Sequence, residues 1–168
     1  MSAKVILART PEEIDQVRVL VWEFFDGLRA KYTEMLDTID EYLEEQNVKG
    51  ELENFADHFL PPHGECFLAL LDNEPVGIVL MKPKGANDAE MNRMYVRDTA
   101  RGKGIGRKLG EALLSKAQAQ GVGMVWLDAL YRHNEALPLY ESLGFVRFTD
   151  PEAFHGDDER VIHMKLKL

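Results

Sequence analysis

Cysteine is all but missing from this 168-residue chain, with Cys66 alone. An internal disulfide is therefore excluded, and Cys66, in the apolar run 66–71, reads as a small buried hydrophobe. The five histidines show no His-x-x-x-His spacing and no Cys-x-x-Cys occurs, so no metal site is expected. No run approaches the roughly 18 apolar residues of a membrane span, and the N-terminus lacks the apolar centre of a signal peptide, so a cytoplasmic location is expected. Gly-Lys-Ser/Thr is absent, which removes the P-loop. Gly-x-Gly-x-x-Gly fails as well, because Arg107 and Leu109 stand where its third glycine belongs. Without an internal repeat, linker or low-complexity stretch, residues 1–168 are expected to form one domain. Basic residues are in deficit too, 20 against 29 acids, for a formal net charge of -9.

Within that acidic chain, Arg93, Arg97, Arg101, Lys103, Arg107 and Lys108 form a basic island with one acid, Asp98, among them. Such an island suits a small anionic ligand better than nucleic acid. At its centre Arg101 to Gly106 reads Arg-Gly-Lys-Gly-Ile-Gly, where a strand hands over to a helix. Glycines at 102, 104 and 106 let the backbone approach a ligand and turn N–H groups toward it, and the helix N-terminus adds partial positive charge. Arg101, Lys103, Arg107 and Lys108 offer full charges to a polyanion. The plain alternative is a glycine-rich turn with solvated cations.

A strand is expected over Lys4 to Ala8, then a helix capped by Thr10 with Pro11 in its first turn, because Ile14, Val17, Val21, Phe24, Phe25 and Leu28 recur at helical spacing. Further helices are expected over Thr33 to Glu45 and Leu52 to Leu60. Nine acids face two lysines between 31 and 60, which reads as a solvated face or as a lid attracting a cationic substrate. Runs 66–71 and 76–81, separated by residues 72–75, signal a hairpin. In the next strand Ala89 and Met91 put apolar groups on odd positions while Met94 and Val96 use even ones. That parity switch implies a bulge near Asn92 and Arg93. A helix from about 104 to Gln120, a strand over Met124 to Asp128, a helix after Asn134 ending at Gly144, and closing strands over Phe145 to Phe148 and Val161 to Leu168 complete the order.

Three motifs, Glu90 to Val96 (Glu-Met-Asn-Arg-Met-Tyr-Val), Arg101 to Gly106, and Asn134-x-Ala136-x-x-x-Tyr140-x-x-x-Gly144-Phe145, together resemble the GCN5-related N-acetyltransferase (GNAT) family in order and spacing. The resemblance implies an α/β (α+β) fold with a mixed, mostly antiparallel sheet of about six to seven strands flanked by helices. It implies acetyl-CoA as co-substrate and no metal, with the pyrophosphate held by Arg101, Gly102, Lys103, Gly104, Ile105, Gly106 and Arg107. Met94, Tyr95 and Val96 would meet the thioester and pantetheine arm, and Asn134 would cap a helix, touch pantetheine, or do both. Tyr140 matches the family's usual acid for the departing thiolate, and otherwise reads as a core aromatic. Glu90 is the first candidate for the base that deprotonates the acceptor, with a plain surface carboxylate as the other reading. Asp128 is a second candidate, and Tyr131 or His133 could line the acceptor pocket. The expected activity is N-acetylation of a primary amine on a small molecule or peptide; a catalytically idle acyl-CoA-binding module is the alternative. Expected partners are acetyl-CoA and an amine acceptor, with no nucleic acid and no membrane, and a homodimer stays open.

Overall fold

Thr10 opens the first helix as expected: its hydroxyl accepts from the Glu13 N–H, and the Glu13 carboxylate accepts from the Thr10 N–H. The computed structural model describes residues 2–130, 136–149 and 161–168. Helices are α1 (Pro11–Lys31), α2 (Leu36–Glu45), α3 (Val48–Glu53), α4 (Phe55–Phe59), α5 (Ile105–Ala119) and α6 (Leu137–Leu143). Strands are β1 (Ala3–Leu7), β2 (Glu65–Leu71), β3 (Glu74–Lys84), β4 (Asp88–Val96), β5 (Met124–Leu130), β6 (Val146–Phe148) and β7 (Val161–Lys167). They form one seven-stranded sheet in the order β1-β2-β3-β4-β5-β7-β6, in which β4 and β5 run parallel and the other pairs antiparallel.

Two boundaries differ from the sequence reading for local reasons. The hairpin turn is two residues, not four, because Asp72 and Asn73 both take positive φ (51° and 69°). A two-residue turn of that hand matches the strand twist, so β3 begins at Glu74. The acidic segment is not two helices: a 3-10 turn (Thr33–Met35) precedes α2, and Asn47, with φ 48°, separates α2 from α3. Of the nine acids between 31 and 60, Glu51 is buried and the other eight are exposed.

Apolar side chains fill both faces of the sheet. Val79, Met91, Met94, Leu109, Leu113 and Met164 pack on the α5 side, and Leu20, Phe25, Ile39, Phe59, Ile78 and Leu80 on the α1–α4 side. Strand β3 contributes to both, as a strand covered on two faces must.

The parity switch in β4 is a bulge. Ile78 pairs with Tyr95 and Leu80 with Asn92, so Arg93 and Met94 together oppose Val79. Arg93 takes φ 54°, and the inserted residue returns Met94 to the face used by Ala89 and Met91.

Candidate active site

Strands β4 and β5 pair only at Ala89 with Val125 and Glu90 with Trp126, then part. Beyond that point Met94 is in register with neither neighbouring strand. Its main chain therefore sits at the bulge, at the mouth of the opening where β4 has left β5. The bulge places it there: without the extra residue, Met94 would sit in the β3 ladder.

A cavity of about 80 Å³ lies beneath this opening, between the sheet and helices α1 and α2. Phe24, Phe25, Leu28 and Ile39 supply apolar wall, and Asn92, Arg93, Met94, Asp128 and Tyr140 supply the chemistry. The cavity's volume is about half of the roughly 150 Å³ of an engineered one that holds benzene, so the enclosed space takes only a group smaller than a benzene ring.

Tyr140 is 5% exposed and stacks edge-on against Phe145 at 6.1 Å. Burial pushes its hydroxyl pKa well above the phenol value, so the group keeps its proton at neutral pH. Glu90 is half-buried at the last paired position and lies outside the cavity lining. Burial first, then the nearby Asp128 carboxylate, hold its pKa above the ordinary glutamate value. Asp128 itself lines the cavity and meets His163 Nδ1 at 2.6 Å. A carboxylate only accepts, so Nδ1–H donates to it. The pair exists because Asp128 and His163 are direct cross-strand neighbours on β5 and β7. Asp128 is 31% exposed and His163 3%, so the imidazole is buried and the carboxylate is free to meet a ligand.

The glycine loop forms as expected. Gly102 and Gly104 take φ 77° and 74°, and a Cβ at either would meet no atom within 4 Å. The loop is thus open to solvent at both glycines and demands left-handed backbone there. Helix α5 follows at Ile105 with Gly104 as its N-cap, so the loop lies at the end of α5 where the first-turn N–H groups lack intrahelical acceptors. Lys103 is exposed beside it, and Arg101 reaches back to Asp98 at 3.2 Å and to the Val96 carbonyl at 3.1 Å. Arg107 is shared between Glu111 and Ser142.

The basic island does not act as one patch. Arg97 is committed to Glu23 of α1, with Nε and Nη2 at 3.0 and 2.5 Å from its carboxylate. Lys108 Nζ donates to the Ala3 carbonyl at 3.2 Å. Arg93 turns to the α1–α4 face of the sheet and is buried against Phe25. Tyr95 likewise sends its side chain to α1, where its hydroxyl donates to Glu23 at 3.2 Å. Val96 is half-buried beside the loop and packs toward α5.

Tyr131, His133 and Asn134 lie outside the described residues. His163, Glu51 and the burial of Arg93 escaped the sequence reading. Each owes its place to a partner on another element, and no local spacing signals such a partner. Cys66 is fully buried, and burial pushes its thiol up to about 12, as expected of an inert core residue. Among the described residues no cluster of metal-ligating side chains occurs and no helix is long and apolar enough to cross a membrane.

Known proteins resemble this chain in both sequence and fold. Residues 24–145 match the family model described as "Acetyltransferase (GNAT) family". The chain is 30% identical to an uncharacterized N-acetyltransferase of Schizosaccharomyces pombe, over 99% of this chain and 96% of that one. It is also 36% identical to human N-acetylaspartate synthetase across 71% of this chain, which spans 39% of the human protein. Among solved structures, an acetyltransferase of the GNAT family from Staphylococcus aureus superposes with TM-score 0.77 at 17% identity, covering 99% of each chain. The PaiA N-acetyltransferase of Thermoplasma acidophilum, solved with coenzyme A, gives 0.76 at 18% identity over the whole of both chains.

Proposed function

The chain belongs to the acetyltransferase (GNAT) family, and from that premise we propose that it transfers an acetyl group from acetyl-CoA to a primary amine by direct attack. The observation that carries this reading is the convergence of three features on one opening: the parted β4 and β5, the bulge that frees Met94, and Tyr140 in the cavity beneath.

The fit to acetyl-CoA rests on the loop. A loop open at Gly102 and Gly104, set at the N-terminus of α5, suits a pyrophosphate. Residues Arg101 to Arg107 would hold it, with Lys103 supplying exposed charge. Backbone of Met94, Tyr95 and Val96 would line the pantetheine arm. The co-substrate supplies an activated acetyl group as a thioester.

The residues then divide the work. The acceptor amine arrives protonated, since its ordinary pKa is near ~10.4, and must lose that proton before it can attack. We assign its removal to the carboxylates Glu90 and Asp128. Glu90 has the raised pKa that brings a base nearer neutrality, and Asp128 reaches into the cavity. The Met94 N–H faces the charge that develops on the carbonyl oxygen. Tyr140, kept protonated by burial, delivers a proton to the departing thiolate.

Thiol release from acetyl-CoA, followed across a panel of primary amines with purified protein, tests the reaction. Acetyl-CoA should also raise the melting temperature well beyond ATP or NAD, because a ligand confined to the native state stabilises it by mass action. No thiol release with any amine sinks the reaction; equal shifts from all three ligands sink the assignment of the loop.

A further inference from the structure

Deep in the cavity wall sits a cation that the proposed chemistry does not use. The Arg93 side chain is 2% exposed, and neither Nη1 nor Nη2 has a hydrogen-bond partner. The neighbouring Asn92 side-chain amide is buried and equally unpartnered at Nδ2. Arg93 lies over Phe25, with Cζ 5.8 Å from the ring centroid, and Phe25 lines the same cavity. A guanidinium stays charged at any working pH, so it cannot escape the low-dielectric site by losing its proton. Buried donors without acceptors are rare in native proteins, and three on consecutive residues of one cavity wall invite an acceptor, the only unpartnered protein oxygens near them among the described residues being those of Glu51.

The facing protein group does not meet that need. Glu51 Oε1 stands 4.0 Å from Arg93 Nη2, close enough to offset charge and too far to accept a hydrogen bond. The Glu51 carboxylate is instead in close contact with Lys82, and His58 is 3.8 Å away. Arg93 and Lys82 stand against Glu51, with the Glu90 and Asp128 carboxylates also nearby, so the unused N–H groups of the fork, and not a surplus of positive charge, define the site. The bulge makes this possible, because φ 54° at Arg93 turns its side chain to the α1–α4 face while Met94 next to it returns to the α5 face. One strand irregularity thus places a fork for an anion beside the backbone group proposed to face the acetyl carbonyl.

We propose that the acceptor is an amino acid, a molecule carrying both a primary amine and a carboxylate, and that Arg93 with Asn92 binds the carboxylate so that the amine points toward Met94 and Asp128. This rests on the acetyl-transfer reading above and names its substrate class. The planar guanidinium matches a carboxylate with two parallel N–H bonds. Glu51 disfavours a second negative charge at the same point, which argues against a phosphate dianion. Phe24, Leu28 and Ile39 form an apolar wall beside the fork, which the substrate's side chain would face.

Matched pairs test it: leucine against isopentylamine, and phenylalanine against phenethylamine, each pair differing by the carboxylate. In the parent, kcat/KM for the amino acid should exceed that for its decarboxylated partner at least about tenfold. Breaking a buried charge-assisted pair weakens binding by roughly 10- to 1,000-fold, so Arg93→Met should collapse this ratio toward one. Arg93→Lys, which keeps charge without the fork, should fall between. The ratio is the readout because damage to folding or to acetyl-CoA binding lowers both members of a pair alike. A parent ratio near one, or an Arg93→Met ratio equal to the parent's, overturns the proposal while leaving acetyl transfer to amines intact. If no amine releases thiol, the transfer reading fails separately, and calorimetry of leucine on the CoA-loaded protein decides the carboxylate site. Binding that Arg93→Met abolishes supports it, and absence of binding overturns it.

Discussion

Gly104→Val separates the glycine loop as a ligand cradle from the same loop as a turn. In the free protein a Cβ at this position meets no atom within 4 Å, so the substitution meets no steric obstacle from the fold. What it does meet is φ 74°, which disfavours an L side chain by roughly 1–2 kcal/mol. For a chain of this length 1 kcal/mol lowers Tm by roughly 2–4 °C, so a loss of about 2–8 °C is expected and the protein should remain folded at room temperature. Ligand binding should suffer far more. The new side chain stands where the pyrophosphate would sit, and hydrogen bonds to charged groups are worth about 1.5–3 kcal/mol each. Losing two of them weakens acetyl-CoA binding by roughly 10²- to 10⁴-fold. At a ligand concentration 100 times the parent Kd, mass action stabilises the parent by about 2.7 kcal/mol, and a variant weakened 100-fold by only about 0.4 kcal/mol. Thermal unfolding with and without acetyl-CoA, backed by calorimetry, reads both quantities. A folded Gly104→Val protein with a parent-like acetyl-CoA shift would refute the reasoning and return the loop to a simple turn.

Tyr140→Phe removes one hydroxyl from a residue buried in the cavity wall, and turnover should drop by about 10²–10⁴ while acetyl-CoA affinity holds; turnover within twofold of the parent, with chemistry rate-limiting, assigns Tyr140 to packing alone. Glu90→Gln should lose turnover at neutral pH and regain part of it as pH rises toward the amine pKa, and a parent-like profile would pass the base role to Asp128. Its stability moves in the opposite sense. Because the folded pKa of Glu90 is raised, the native state binds more protons than the unfolded chain between the unfolded and folded pKa values, so the parent loses stability as pH rises through that window. Glu90→Gln should therefore melt higher than the parent at pH 7 and lose that advantage near pH 4; equal melting at both pH values contradicts the burial cause. Cys66, with its thiol pushed up to about 12, should resist alkylation in the native protein at pH 8 and react once the chain is unfolded, as mass spectrometry would record.

Much of the fold was legible because it is local. The capping box at Thr10 and Glu13, the helical spacing from Ile14 to Leu28, the glycines at 102 and 104, and the parity switch between Met91 and Met94 all act within a few residues, and each appears where the sequence places it. The acidic segment was harder. Its composition announced exposure for eight acids and could not single out Glu51, whose burial depends on Lys82 and Arg93 arriving from β3 and β4. Similarly, six cations close in sequence looked like one patch, and the sheet dispersed them, since neighbouring strand residues point to opposite faces and the bulge reverses that order at Arg93.

By itself, then, the sequence determined most of the strands and long helices, the capping box of α1, the bulge and the glycine turn before α5, since these follow from backbone preferences and short-range hydrogen bonds. Only tertiary structure decided which groups meet: where β4 leaves β5, that Asp128 faces His163 across 35 residues of chain, and that Arg93 ends buried and unpartnered beside Met94. Strand register and burial depend on packing between distant segments, and no spacing along the chain encodes them.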